Sequence, residues 1–232
     1  MRSFKATLAG FGVAVLGLAA FANAAPVPWS NPSGSVPGVF SWSNGQSDNG
    51  LFGSPVVAGN SFTFFPSNFR AIGSNGGAQT TTDRLSFTLE IAPGNVLFEG
   101  LTVNEFGDYS ITNGGQVSAD AFLFVTNLNA PVNPPGNPLT GSASFDNNQL
   151  PSGNASGNWS LQIVRNLPPS PNGWTRIQVV LNNTLQAVGG ANGTASIEKK
   201  VGGITITVLV PEPATAGVVA SGLGMLLVRR RK

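Results

Sequence analysis

The sequence predicts an all-β fold: an antiparallel β-sandwich or jelly roll of about ten strands, with apolar helices confined to its two ends. Three observations carry this. Between residues 25 and 209, apolar and polar residues alternate with a period of two in one short segment after another, the pattern of strands with one buried and one wet face. Gly- and Asn-rich turns separate those segments and supply the positive φ that tight hairpins need. No stretch of that region keeps a 3.6-residue apolar period over the length of a helix. The composition agrees. The chain is 41% hydrophobic, with 15 Phe, and only 9% charged, where an average chain is roughly 25% charged.

In chain order, the first element is apolar. Arg2 and Lys5 give a positive start, residues 6–21 carry no charge, and Ala22-Asn23-Ala24 places small residues at both positions of an A-x-A cleavage site. This order is that of a secretory signal peptide. Residues 1–24 are therefore expected to form a signal helix that engages Sec-type export machinery and is removed at the cleavage site that Ala22 and Ala24 mark. The next segment, Ala25-Pro26-Val27-Pro28, cannot continue a helix, because Pro lacks the N–H and clashes with the preceding turn.

Residues 25–209 are expected to form the β domain. Residues 25–49, rich in Pro, Ser, Gly and Asn, are expected to form an irregular lead-in or a first edge strand near 39–43. In 84–91, Leu85, Phe87, Leu89 and Ile91 share the buried face, and Arg84, Ser86, Thr88 and Glu90 the wet one. Trp159, Leu161 and Ile163 repeat the pattern, as do Ile177 with Val179 and Ile204 with Ile206 and Val208. Further strands are expected at 61–65, 96–106, 109–112, 117–127, 139–145, 184–188 and 194–199. Turns are expected at Asn75-Gly76-Gly77, Pro93-Gly94-Asn95, Phe106-Gly107-Asp108, Asn113-Gly114-Gly115, Pro134-Pro135-Gly136 and Gly189-Gly190. The proline-rich stretch 127–138 reads as a mobile surface loop. No internal repeat is visible, which disfavours a solenoid or propeller.

Residues 210–232 end the chain in three parts. Pro211-Glu212-Pro213 is held extended by its prolines. Residues 214–228 carry no charge and as a helix would span roughly 22 Å, short of a hydrocarbon core of about 30 Å. Arg229-Arg230-Arg231-Lys232 should stay cytoplasmic by the positive-inside rule. The three parts together resemble the PEP-CTERM family of sorting signals. The resemblance covers about a tenth of the chain and implies a route: membrane pausing through a short hydrophobic helix, then recognition of Pro211, Glu212 and Pro213 by a membrane exosortase. It also implies an exported protein of a bacterium that makes exopolysaccharide or biofilm matrix. Such tails occur on many unrelated domains, so the resemblance implies no activity.

Composition excludes several classes of function. The chain has no Cys and no His. Disulfides, thiol nucleophiles, thiolate metal sites and Ser-His-Asp arrangements are thereby ruled out. The formal net charge of +2 arises at the ends; between residues 25 and 210 acidic residues outnumber basic ones. That region lacks the basic footprint of nucleic-acid binding. Carboxylates remain. Glu99, Glu105 and Asp108 lie close in sequence, but Glu105 and Asp108 flank an expected turn at Gly107, where acidic residues are solvated. Asp48-Asn49-Gly50 and Asp146-Asn147-Asn148 offer loop oxygens without the spacing of a calcium loop. Among the tryptophans, Trp159 is in phase with the core, and Trp174, after Pro171-Asn172-Gly173, is the candidate for stacking on a sugar ring. The expectation is an exported, non-catalytic protein of the cell surface or extracellular matrix, needing no cofactor, with structural or adhesive work. The alternative is a polysaccharide-binding module of the exopolysaccharide matrix.

Overall fold

The computed structural model describes residues 25–93, 97–130, 137–149 and 152–211. The expected signal helix and the segment beyond Pro211 lie outside them. So do the turn at Gly94-Asn95 and the Pro134-Pro135-Gly136 turn. Among the described residues there are thirteen strands and no helix. They are β1 Val27–Pro28, β2 Gly34–Val36, β3 Phe40–Ser47, β4 Val56–Ala58, β5 Ser61–Phe64, β6 Arg70–Ser74, β7 Ala78–Ile91, β8 Gly100–Thr112, β9 Gly115–Asn127, β10 Leu139–Gln149, β11 Ala155–Asn166, β12 Arg176–Gly189 and β13 Thr194–Leu209. Two antiparallel sheets result. Sheet A runs β1-β3-β7-β12-β9-β10, with β2 also on β3. Sheet B runs β11-β8-β13-β5-β4, with β6 also on β13. The expected sandwich is borne out.

Alternation decides which side chains face the interior. Leu85, Phe87 and Leu89 of β7, Leu161 and Ile163 of β11, and Ile177 and Val179 of β12 are all buried between the sheets. Ile91, at the end of β7, is only partly buried. Thr88 departs from expectation: it is 7% exposed, although it points outward. It sits between Ser43 of β3 and Gln178 of β12, on the inner strands of the sheet, where neighbours cover it on both sides. A web of aromatic rings fills one half of the interior. Phe62 lies 5.1 Å from Phe87 and 5.4 Å from Trp42, and Trp29 lies 5.3 Å from both Phe64 and Phe87.

Several strands are longer than the sequence suggests. Strand β8 begins at Gly100, and from there the expected segments ending at 106 and spanning 109–112 are one strand, so Phe106-Gly107-Asp108 is no turn. Gly107 is there for a contact: a Cβ on it would lie 1.9 Å from the Glu198 carbonyl and 2.6 Å from the Trp159 indole. Segments 177–179 and 184–188 likewise merge into β12. Segments 194–199 and 204–208 merge into β13 across a bulge between Lys199 and Ile204.

At one end of the sandwich the chain changes sheet four times, between β6 and β7, β8 and β9, β10 and β11, and β12 and β13. Asn75-Gly76 and Asn113-Gly114 have positive φ at both residues, as tight turns of this hand require. The crossings are tied together: Asn75 N–H donates to Gly193 O, Gly76 N–H to Gly190 O, and Gly190 N–H to Gly114 O. The opposite end, about 45 Å away along the fourteen residues of β12, is where β13 finishes. There Glu99 N–H donates to Leu209 O.

Candidate functional site

All four tryptophans are buried, between 2% and 8% exposed. Trp174 was the candidate for a surface sugar contact, and its expected exposure is corrected: it is 5% exposed, and its indole N–H donates to Pro168 O at 2.7 Å. The loop after β11 folds back and tucks the ring against the sandwich end, with Phe98 N–H on its own carbonyl. Trp29, Trp42 and Trp159 each lie over a strand glycine, Gly45, Gly34 and Gly107 in turn, where any Cβ would strike the ring. No row of exposed indoles therefore forms among the described residues.

The carboxylates are also placed differently. Glu105 is not solvated at a turn. It points inward from β8 and pairs with Lys199 of β13, Nζ to Oε2 at 2.5 Å, both side chains 1% exposed. The Lys199 ammonium also faces the rings of Trp159 and Phe69, at 5.0 and 5.2 Å, a cation–π arrangement. Burial pushes the Lys199 pKa down, and the Glu105 charge opposes that. Glu105 Oε1 has no partner among the described residues. Asp108 sits on the outer face of the same strand, paired with Lys200, which also reaches Glu198 at 3.4 Å. The two acids thus leave β8 on opposite faces and share no cleft. Glu99 is exposed at the end of the sandwich where β13 finishes.

The loop oxygens at Asp48-Asn49-Gly50 and Asp146-Asn147-Asn148 are placed apart from any acidic cluster. No group of three or more acidic side chains converges among the described residues. Asp146 and its neighbours belong to strand β10, not a loop. The loop at Asp48 is organised by Asp83 instead: its carboxylate accepts the N–H groups of Asn49, Leu51 and Arg84, each at 2.8 Å. Of the sorting motif, only Pro211 is described, two residues beyond the last ladder partner, Leu209. Glu212, Pro213 and the basic tail lie outside, as do Ala22 and Ala24.

The most functional-looking surface is one the sequence reading passed over, the outer face of sheet A. Register places Ser142, Phe122, Asn182 and Arg84 in one row across β10, β9, β12 and β7. Ser144, Asp120, Thr184 and Thr82 form the next, then Asp146, Ser118, Gln186 and Thr80. Phe122 stands 48% exposed in this polar field. Phe124 lies beside it on β9, half-buried. Burial, and then the charge of Asp146, raise the pKa of Asp120. A depression beside the rows is lined by Gln116, Ser118, Asp146, Asn148 and Gln186. Chemically this is an aromatic face ringed by amides, hydroxyls and two carboxylates, able to stack and to exchange hydrogen bonds.

No protein-family description matches the chain, and no curated protein matches it. Among solved structures it is similar to a family 11 carbohydrate-binding module from Clostridium thermocellum in complex with a β-1,3-1,4-mixed-linked tetrasaccharide, at 10% identity and a TM-score of 0.20, over 63% of this chain and 92% of that one. It is also similar to infectious bursal disease virus, Gx strain, at 12% identity and a TM-score of 0.20, over 71% of this chain and 49% of that one. A family 29 carbohydrate-binding module gives 14% identity and a TM-score of 0.15, over 72% of this chain and 92% of that one. Likenesses this slight carry no argument about what the chain binds.

Proposed function

We propose that this chain is an exported, non-catalytic protein of the cell surface or extracellular matrix, paused at the inner membrane and released by an exosortase acting at Pro211-Glu212-Pro213. The observation that carries the reading is the order of parts: signal-peptide pattern, one β unit, then Pro-Glu-Pro, apolar run and four basic residues. The fold is compatible with that route. The strands from Val27 to Leu209 make both sheets between them. Strand β13 finishes at Leu209, at the end opposite the four crossings, so the route asks for no strand to be unpicked. The test is intact mass spectrometry of protein recovered from the producing cells. Processing removes Arg229-Arg230-Arg231-Lys232, and replacing Pro211, Glu212 and Pro213 with Ala blocks that loss while export continues. Wild-type surface protein that still carries the basic tail, in cells containing an exosortase, overturns the reading.

A second reading, binding of a neutral exopolysaccharide, is favoured by one observation: the exposed Phe122 amid amides and hydroxyls on a broad sheet face. A sugar ring offers C–H faces to an aromatic ring and hydroxyls to Asn182, Ser142 and Gln186. Affinity electrophoresis against the producing cell's own polysaccharide tests it. Retardation should be lost in Phe122→Ala, and equal retardation of the variant rules this face out.

A further inference from the structure

The two sides of the sandwich are unlike. On one side the edges are short: β1 has two residues, β2 and β4 three each, and Pro26, Pro28, Pro32, Pro37 and Pro55 interrupt them. Short strands and prolines are how sheets avoid pairing with another chain. On the other side the edges are β10 and β11, eleven and twelve residues long, each paired along its whole inner length without a bulge. Neither strand contains Pro or Lys. Their outward side chains, such as Ser142, Ser144, Asn158, Ser160, Gln162 and Val164, are exposed.

We propose that this side joins a second copy of the same chain about a two-fold axis normal to the sheets, with β11 pairing antiparallel to the partner's β11 and β10 to the partner's β10. One axis serves both sheets. Phe145 stacks on Trp159 with ring centroids 6.2 Å apart, and a Cβ on Gly141 would lie 2.6 Å from Ile163. These two contacts put the middle of β10, at Ser144, over the middle of β11, at Ser160. An axis through both residues therefore sets each opposite its own copy. Asn158 then faces Gln162, Ser156 faces Val164, and on sheet A Asp146 faces Ser142. The single charge of each strand, Arg165 or Asp146, meets an uncharged residue, so no like charges are opposed. A self-complementary patch of this kind closes a dimer. The pairing reverses strand direction, so the Leu209 end of one copy lies beside the four-crossing end of the other. If the sorting reading holds, two copies still held in one membrane cannot pair this way, and pairing follows release or joins facing surfaces. The dimer itself does not rest on that reading.

The chain has no native Cys, so crosslinking tests the geometry directly on protein recovered from the producing cells. Opposed residues in an antiparallel pair lie about 4.5–5.5 Å apart at Cα, within disulfide range. Ser160→Cys and Ser144→Cys should each give covalent dimers on oxidation. Asn158→Cys should crosslink to Gln162→Cys in mixtures better than to itself. Thr205→Cys, on the central strand β13 of sheet B, should stay monomeric. Ser160→Lys, exposed and without a role in the core, should raise the dimer dissociation constant roughly tenfold at low salt and less at high salt, with the melt unchanged at dilutions where both proteins are monomers. A protein that sediments as a monomer at all concentrations, a dimer that neither Ser160→Cys nor Ser144→Cys traps, or equal trapping by Thr205→Cys overturns the proposal.

Discussion

Lys199 and Lys200 are consecutive residues of one strand, and they live in opposite worlds. Lys199 is sealed between the sheets with Glu105, and its pKa is pushed down by burial. Lys200 stands on the outer face of β13 with Asp108 and Glu198, and its hydrogen bond to Asp108 raises its pKa. Strand alternation alone separates them. The difference teaches that an ion pair's value lies in its surroundings. Water screens the outer pair. The inner pair is held in a dry aromatic cage, where either partner alone is a buried charge.

The sharpest test of that contrast is to strand one inner charge. Glu105→Ala should destabilise the fold by about 3–5 kcal/mol, because Lys199 is left unpaired. Replacing both partners together, Glu105→Leu with Lys199→Met, should recover most of the loss in urea denaturation. A double variant as unstable as the single one would mean that shape, not charge, governs the site. Next in size is Gly107→Ala, beside the same cage, at roughly 1–3 kcal/mol from overpacking, since the new Cβ would meet the Glu198 carbonyl and the Trp159 ring.

A smaller effect appears in the pH dependence. Because the folded-state pKa of Lys199 is lowered from 10.5, the unfolded chain binds more protons between that lowered value and 10.5. Lys199 therefore adds to stability as pH rises through that window. Melting midpoints followed up to pH 10.5 should show this rise beneath the titration of the other groups. Lys199→Met, compared at the same pH values, should lack it. Smallest of all is Lys200→Ala, which should leave the midpoint of denaturation unmoved at physiological salt. A clear loss there would show that the outer trio is a cooperative network.

Part of this arrangement was legible in the residues. Leu101, Val103 and Glu105 are in phase along β8, and Ala195, Ile197 and Lys199 along β13, so phase puts both charges on the inner face. What hid the pair was Gly107. A Gly beside an Asp reads locally as a turn, and that reading cut β8 short and set Glu105 in solvent. The glycine instead makes room for Trp159, which lies about fifty residues further along the chain on the neighbouring strand. Trp174 misled in the same manner. Its neighbours Pro171, Asn172 and Gly173 are loop residues, and only the return of that loop onto the sandwich end gives its indole the Pro168 carbonyl.

The sequence by itself determined the β class, the inward sets of β7, β11 and β12, and the turns at Asn75-Gly76 and Asn113-Gly114. These depend on side-chain period and on backbone φ, which neighbouring residues dictate. Tertiary structure alone decided the ion pair inside, the Trp–Gly contacts, the Phe122 face and the placement of Ser144 over Ser160. The ion pair and the Trp159–Gly107 contact join strands far apart in the chain, and the placement of Ser144 over Ser160 joins strands of different sheets. Their meeting depends on sheet order and on how the two sheets lie against each other, and no local pattern encodes either.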